Sequence, residues 1–319
     1  MTTALNQPKM TTRGHKEEVD VDELLVGLYH EAENFMKENS PSQTALRVAM
    51  RRAAHQVLDD PKVFDDPLAL RILGVENASE LRPKPEWLEE TPLSGVLRAS
   101  LAARSRYAED ELHLAVNGGV HQYVVLGAGL DTFAHRNPYP RGVLHVFEVD
   151  HPATQLWKRT GLKEAGIPML ETLTYAPVDF ETQTLDDGLR QAGFDTSKST
   201  FFSWLGVTPY LTNGAIAATL QFVASMPVGS GIVFDYMILP SLLNPDARRA
   251  FDSLAHRVAS AGEPFQSFFD PSSLKSSLLD MGFGLVEDIT PEEMNARYFQ
   301  GRTDKLRFGS LAHVMNARV

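Results

Sequence analysis

HQYVVLGAGLDTFAHRNPYPRGVLHVFEVDH, residues 121–151, reads as a β-rich run, a glycine turn, an irregular connection and a second apolar run with an acidic end. The first run, 121–126, stops at Gly127-Ala128-Gly129, with Asp131 directly after. Glycines at that spacing let the backbone turn sharply and admit a ligand where a Cβ would block it. The second run, 143–149, contains Glu148 and ends at Asp150, 21 residues beyond Gly129. That separation suits an acid on the second strand of a nucleotide-binding unit, where a carboxylate accepts hydrogen bonds from both hydroxyls of a ribose. A lone pair of glycines also occurs in ordinary tight turns, so both readings of the turn stand on this feature. Position 132 is Thr, where the dinucleotide fingerprint has its third glycine. The stretch therefore leans away from a pyrophosphate on a helix N-terminus and toward an adenosine without phosphates.

Working outward, residues 1–17 are polar and aperiodic and read as a disordered tail. Helical spacing of apolar residues predicts helices over 19–37 and, after a Ser42 cap, over 43–58. Arg47, Arg51 and Arg52 on the second helix form either a solvated basic face or an anion-attracting face over a pocket. DDPKVFDDPLALRILG (59–74) is broken by prolines and holds a short helix before Gly74, and 75–95 reads as a loop. A long helix over 96–116 carries Arg98, Arg104, Arg106 and Tyr107, where a surface pair with Glu109 or Asp110 is the ordinary role for an arginine.

Beyond the opening stretch, helices over 152–165, 185–192, 213–225, 245–261 and 271–281 alternate with strands over 173–178, 200–205, 231–238 and 283–288, and a last strand covers 310–316. Alternation of this kind predicts an α/β fold: a seven-stranded Rossmann-like sheet, mostly parallel, with right-handed crossovers. The polar stretch before the last strand argues that this strand runs antiparallel. The expected division is a tail over 1–17, an N-terminal helical cap over 18–118 and a sheet domain over 119–319.

Charge and composition exclude several classes. The net charge is −11, which opposes non-specific nucleic-acid binding. The chain has no cysteine, so disulfides, thiolate nucleophiles and Cys-zinc sites are excluded; no metal site is expected, and a cytoplasmic location fits. No apolar run is long enough to span a membrane, and the N-terminus has no signal core. The partner expected is a small molecule, and the apolar residues of the N-terminal helices suit a homo-oligomer contact as well as a lid.

In an open parallel sheet the ligand lies outside the carboxyl ends of the strands. Those ends are the Gly127–Gly129 turn, Asp150, the Asp179-Phe180 pair and Leu205-Gly206. Asp179 is placed to accept from an adenine amine and Phe180 to lie against the ring, although Asp179 also fits a helix cap. VFDDPLALRILG, ARSRYAED, VVLGAGLDT, FEVDHP, PVDF and WLGVTPYL, within about residues 42–240, together resemble the leucine carboxyl methyltransferase family, with its bacterial S-adenosylmethionine-dependent methyltransferases and polyketide O-methyltransferases. The resemblance implies a seven-stranded methyltransferase fold and S-adenosyl-L-methionine as cofactor. By position it implies that Arg104 pairs with the methionine carboxylate, that Gly127 and Gly129 line the methionine, that Asp150 holds the ribose, and that Asp179 and Phe180 meet the adenine. Asp131 and Leu205 complete the expected cofactor set. Many relatives have Glu where this chain has Leu205, which removes an acceptor near the methionine amino group. The function expected is O-methylation of a carboxylate or hydroxyl on a small, secondary-metabolite-like molecule. Methylation of a protein C-terminal carboxyl and non-catalytic S-adenosylmethionine binding are the other readings, the latter kept open by Leu205. No catalytic base is assigned: His55, His151, His256 and His313 qualify by chemistry alone, and Tyr107 and Tyr210 read as packing residues.

Overall fold

In the computed structural model, residues 42–75, 94–180, 182–260 and 262–319 are described. The expected tail over 1–17, the helix over 19–37 and most of the loop over 75–95 lie outside these residues. Seven strands form one sheet in the order β3-β2-β1-β4-β5-β7-β6. They are β1 (Gln122–Leu126), β2 (His145–Asp150), β3 (Leu173–Pro177), β4 (Thr200–Trp204), β5 (Gly231–Met237), β6 (Leu285–Ile289) and β7 (Ala312–Arg318). Every pairing among β1 to β5 is parallel, and β7 inserts antiparallel between β5 and β6, as the sequence predicts for the last strand.

Every residue of β1 is buried, because helices cover both faces of the sheet. Successive side chains of a strand point to opposite faces. Tyr123 and Val125 accordingly join one core with Phe201 and Val233, while Val124 and Leu126 join the other with Phe202, Trp204 and Phe234. The first face is closed by α2 (Ser94–Asn117), after α1 (Gln43–Leu58). Ala99, Ala102 and Ala103 of α2 are buried, and such small side chains let a helix lie close on a sheet. On this side α3 (Phe133–Arg136) adds Phe133, whose ring meets Tyr123 edge-on at 4.9 Å. After β2 comes α4 (Pro152–Glu164); then α5 (Leu185–Gln191), α6 (Asn213–Ala224), α7 (Pro245–Ser260), α8 (Pro271–Met281) and α9 (Pro291–Tyr298) follow in chain order. Leu189, Leu220 and Leu278, from α5, α6 and α8, pack into the second core.

Two helices escaped the sequence reading. The short α3 lies in what read as an irregular connection. The polar stretch before β7 holds α9, opened by a capping box in which Thr290 and Glu293 satisfy each other's backbone N–H groups, with Pro291 at the first helical position. The signal Thr-Pro-Glu-Glu was present in the sequence but outweighed by the segment's polarity. Among the described residues no helix is long and apolar enough to cross a membrane.

Candidate active site

The chain builds β1, β2 and β3 to one side and then returns to place β4 on the other side of β1. Loops leaving β1 and β4 diverge at that switch point and leave a crevice at the carboxyl ends. A cavity of about 410 Å³ opens there, and Arg104, Gly127, Gly129, Asp131, Asp150, Asp179, Phe180 and Leu205 all line it. Eight residues chosen from sequence, spread over 102 positions (104 to 205), thus share one hollow.

The turn after β1 needs glycine for reasons internal to the protein. Gly127 and Gly129 have φ of +63° and +48°, the left-handed region that side chains disfavour. A Cβ on Gly127 would sit 2.3 Å from Val207 Cγ2, and one on Gly129 would sit 3.1 Å from Ala45 Cβ. A side chain at either position would run into Val207 or Ala45, while both glycines line the cavity. Asp150 locks the same turn, accepting from Gly129 N at 2.5 Å through Oδ2 and from His151 N at 2.7 Å through Oδ1. Burial lifts its carboxyl above the ordinary range against the pull of those two amides.

Asp131 faces the cavity but is committed elsewhere. It accepts from Arg52 Nη1 at 2.8 Å and from Phe133 N at 2.7 Å, and Arg52 also donates to Asp66 at 2.6 Å. Burial opposes ionisation of Asp131, but Arg52 and Arg136 overcome it and hold the carboxyl down at about 2. Arg52 is buried, so this part of the α1 basic face is not solvated. Asp179 accepts from the Thr182 hydroxyl at 2.9 Å, and its carbonyl accepts from Thr182 N and Gln183 N, so it holds a turn rather than a helix cap, which is Thr184 for α5, while Phe180 stands half-buried beside it.

The α2 arginines are now distinguishable. Arg106 pairs with Asp110 one helical turn on, at 2.8 Å, on the exposed side. Arg104 points inward, and its Nη1 lies 2.5 Å from Asp235 Oδ2. The other oxygen of Asp235 accepts from Gly206 N at 2.5 Å, so one buried carboxylate ties α2 to the loop after β4. Sequence reasoning missed Asp235; the signal was a single acid in the otherwise apolar run GIVFDYM. Of the histidines, His55 is held by Asp59 and by the backbone N–H groups of Val63 and Phe64, and His313 by Asp288. Among the described residues, His151 is the histidine that lines this cavity. Tyr210 also lines it, and burial raises its phenol, so near neutral pH it is a donor.

Behind Asp150 on β2, Glu148 Oε2 accepts from Lys158 Nζ at 2.6 Å in a nearly closed interior. Burial pushes the Glu148 carboxyl from 4.5 up to about 7 despite Lys158. Because the folded value lies above the unfolded one, the stability linked to the protonated group is complete at low pH and is lost as pH rises through about 7. The urea midpoint of the wild type should therefore fall relative to that of Glu148→Gln between about pH 5 and 8, on top of any constant offset from Lys158 losing its partner. A gap that stays constant over that range would show that Glu148 does not titrate there.

A second cavity, of about 650 Å³, adjoins the first. Thr44, Val48, Arg104, Gly206 and Tyr210 line both. Two adjoining hollows, one ringed by strand ends and one by α1, α2 and α7, can hold two reactants with their reacting ends together.

The pattern of the family described as leucine carboxyl methyltransferase matches residues 45–224. The chain is 34% identical over 306 residues to YktD of Bacillus subtilis (strain 168), provisionally named an S-adenosyl-L-methionine-dependent methyltransferase, with 88% of this chain and 99% of that one covered. A Mycobacterium avium (strain 104) protein with the same provisional activity name is 32% identical over 219 residues, covering 66% of this chain and 69% of that one. Among solved structures, human N-acetylserotonin methyltransferase in complex with SAM superposes with a TM-score of 0.40 at 12% identity, covering 86% of this chain and 67% of that one. With more than half of its length matched by the family pattern and nearly the whole of a relative covered, the chain belongs to the leucine carboxyl methyltransferase family and is an S-adenosylmethionine-dependent methyltransferase.

Proposed function

We propose that this methyltransferase acts on an oxygen, carboxylate or hydroxyl, of a small molecule seated in the second cavity. The observation that carries the reading is the pair of adjoining hollows with Arg104, Gly206 and Tyr210 in their shared wall. A chamber of about 650 Å³ is in the range of small-molecule sites.

The first cavity suits the cofactor by its donor set: a fixed carboxylate at the glycine turn, an acid-aromatic pair, and a guanidinium at the end nearer α2. In our assignment Asp150 holds the ribose diol, and the Gly127–Gly129 backbone passes beside the methionine portion. Asp179 and Phe180 take the adenine, and Arg104 takes the methionine carboxylate while keeping Asp235. Asp131 acts through Arg52 to hold the turn. Leu205 offers apolar contact only; Glu263 brings a carboxylate to the same cavity and accepts from Thr44 N at 3.0 Å. Bound in that hollow, S-adenosylmethionine supplies a methyl on a sulfonium, so that the acceptor oxygen gains a carbon–oxygen bond as the carbon–sulfur bond breaks and S-adenosylhomocysteine is left. The protein's part is to align the two reactants and keep water out. A carboxylate acceptor is already ionised at neutral pH and needs no base; a hydroxyl acceptor gives up its proton to solvent or to a side chain of the chamber.

The test is turnover. Purified protein with S-adenosylmethionine should release S-adenosylhomocysteine, read by mass spectrometry, in the presence of aryl or alkyl carboxylic acids or phenols. It should not do so with a leucine-terminated peptide. Turnover confined to the peptide would replace the small-molecule reading with that of a protein carboxyl methyltransferase, and no turnover across a broad panel of acids, phenols and alcohols would count against O-methylation of small molecules.

A further inference from the structure

Among the described residues, two guanidiniums at the second cavity, those of Arg51 and Arg257, have no carboxylate, an arrangement that the transfer reaction does not require. Arg47, Arg51 and Arg257 border the cavity, in addition to Arg104 at the shared wall. Arg104 is neutralised by Asp235. Among the described residues, the hydrogen bond of the Arg51 side chain is a long one, 3.4 Å from Nη1 to the Arg47 carbonyl, and no carboxylate pairs with it. Nε and Nη2 of Arg257 are buried with no hydrogen-bond partner among the described residues. Burial and the neighbouring Arg257 and Arg47 all lower the Arg51 guanidinium, which means that the cations repel one another in a partly desolvated place. A chain with a net charge of −11 has carboxylates to spare, yet among the described residues none pairs with Arg51 or Arg257. A buried guanidinium without a partner is costly, and its fork of donors matches a carboxylate.

Much of the remaining wall is apolar. Leu97 and Leu101 of α2, Met237 of β5, Leu254 of α7, Phe265 and Phe308 line the same hollow. A ligand that satisfies both parts has an apolar body and one anionic end.

We propose that the second cavity is a site for amphipathic acids, with the anion gripped by Arg51 and Arg257 and the apolar body lying along α2, Met237 and the two phenylalanines. This narrows the acceptor class to acids with an apolar body and rests on the reading of this hollow as the acceptor chamber. The binding itself is independent of that reading and is tested separately.

The experiment is titration calorimetry of the full chain with octanoate and with its neutral analogue octanamide, each with and without S-adenosylhomocysteine. Octanoate should bind at least about tenfold more tightly than octanamide, a difference of ~1.4 kcal/mol. Arg257→Gln and Arg51→Gln should each reduce that preference to within about twofold, the loss of one charge-assisted pair, and Arg257→Lys should keep most of it. S-adenosylhomocysteine affinity, measured on the same samples, should be unchanged in all three and so reports that they fold. Equal affinity for acid and amide in the wild type, or an undiminished preference in the double variant Arg51→Gln/Arg257→Gln, would overturn the proposal. Acid preference without turnover of any apolar acid would leave the binding site standing and remove its role as acceptor chamber.

Discussion

Asp150→Ala will weaken S-adenosylhomocysteine binding by about ten- to a hundredfold, as read by calorimetry. The estimate is the ~1.5–3 kcal/mol carried by hydrogen bonds to a charged group. Two effects act in the same direction. The ribose hydroxyls lose their acceptor, and the Gly129 and His151 amides lose the oxygens that now hold them at 2.5 and 2.7 Å. The second effect loosens the turn under the methionine portion as well. Asp150→Asn separates the two, because its amide oxygen still accepts from one backbone N–H while its NH₂ group cannot accept from a hydroxyl. Its affinity should fall between those of the wild type and the alanine variant, with thermal stability closer to the wild type. Wild-type affinity in Asp150→Ala would take the residue out of the cofactor site.

Arg104→Met should lower the stability of the fold by about 3–5 kcal/mol, the cost of leaving one member of a buried ion pair without its partner. The partner is Asp235, whose carboxylate lies 2.5 Å from Arg104 Nη1 and is 7% exposed. Adding Asp235→Asn removes the stranded charge while its amide oxygen can still accept from Gly206 N. The double variant should therefore recover much of the stability in urea unfolding. It should not recover cofactor binding if, as proposed, Arg104 is the partner of the methionine carboxylate. Recovery of both would confine Arg104 to a structural role in tying α2 to the loop after β4; recovery of neither would mean that the guanidinium also packs against Gly206, where a Cβ would meet it at 2.5 Å.

What was legible beforehand followed local rules. A strand of five buried residues, a turn with two positive-φ glycines and a second strand ending in an acid are each encoded within a few positions. Their order then forces the switch point and brings the strand-end residues to one hollow, while Arg104 was expected there only from the family resemblance. The α9 capping box shows where such rules were present but overridden by composition. Asp131 shows their limit: its place after the turn was plain, but its commitment to Arg52, 79 positions away, was not.

The alternation of apolar runs with glycine and acidic ends, taken alone, determined the sheet, its mostly parallel sense and the rim where the first cavity opens, because side-chain period and turn chemistry act over short stretches of chain. Only the tertiary structure decided which arginine of α2 faces inward, that Asp235 meets it across 131 positions, and that Arg51 and Arg257 border one cavity with no carboxylate paired to either among the described residues. Those pairings depend on how helices roll and seat against the sheet. Close packing sets that seating over the whole core at once, and no local pattern records it.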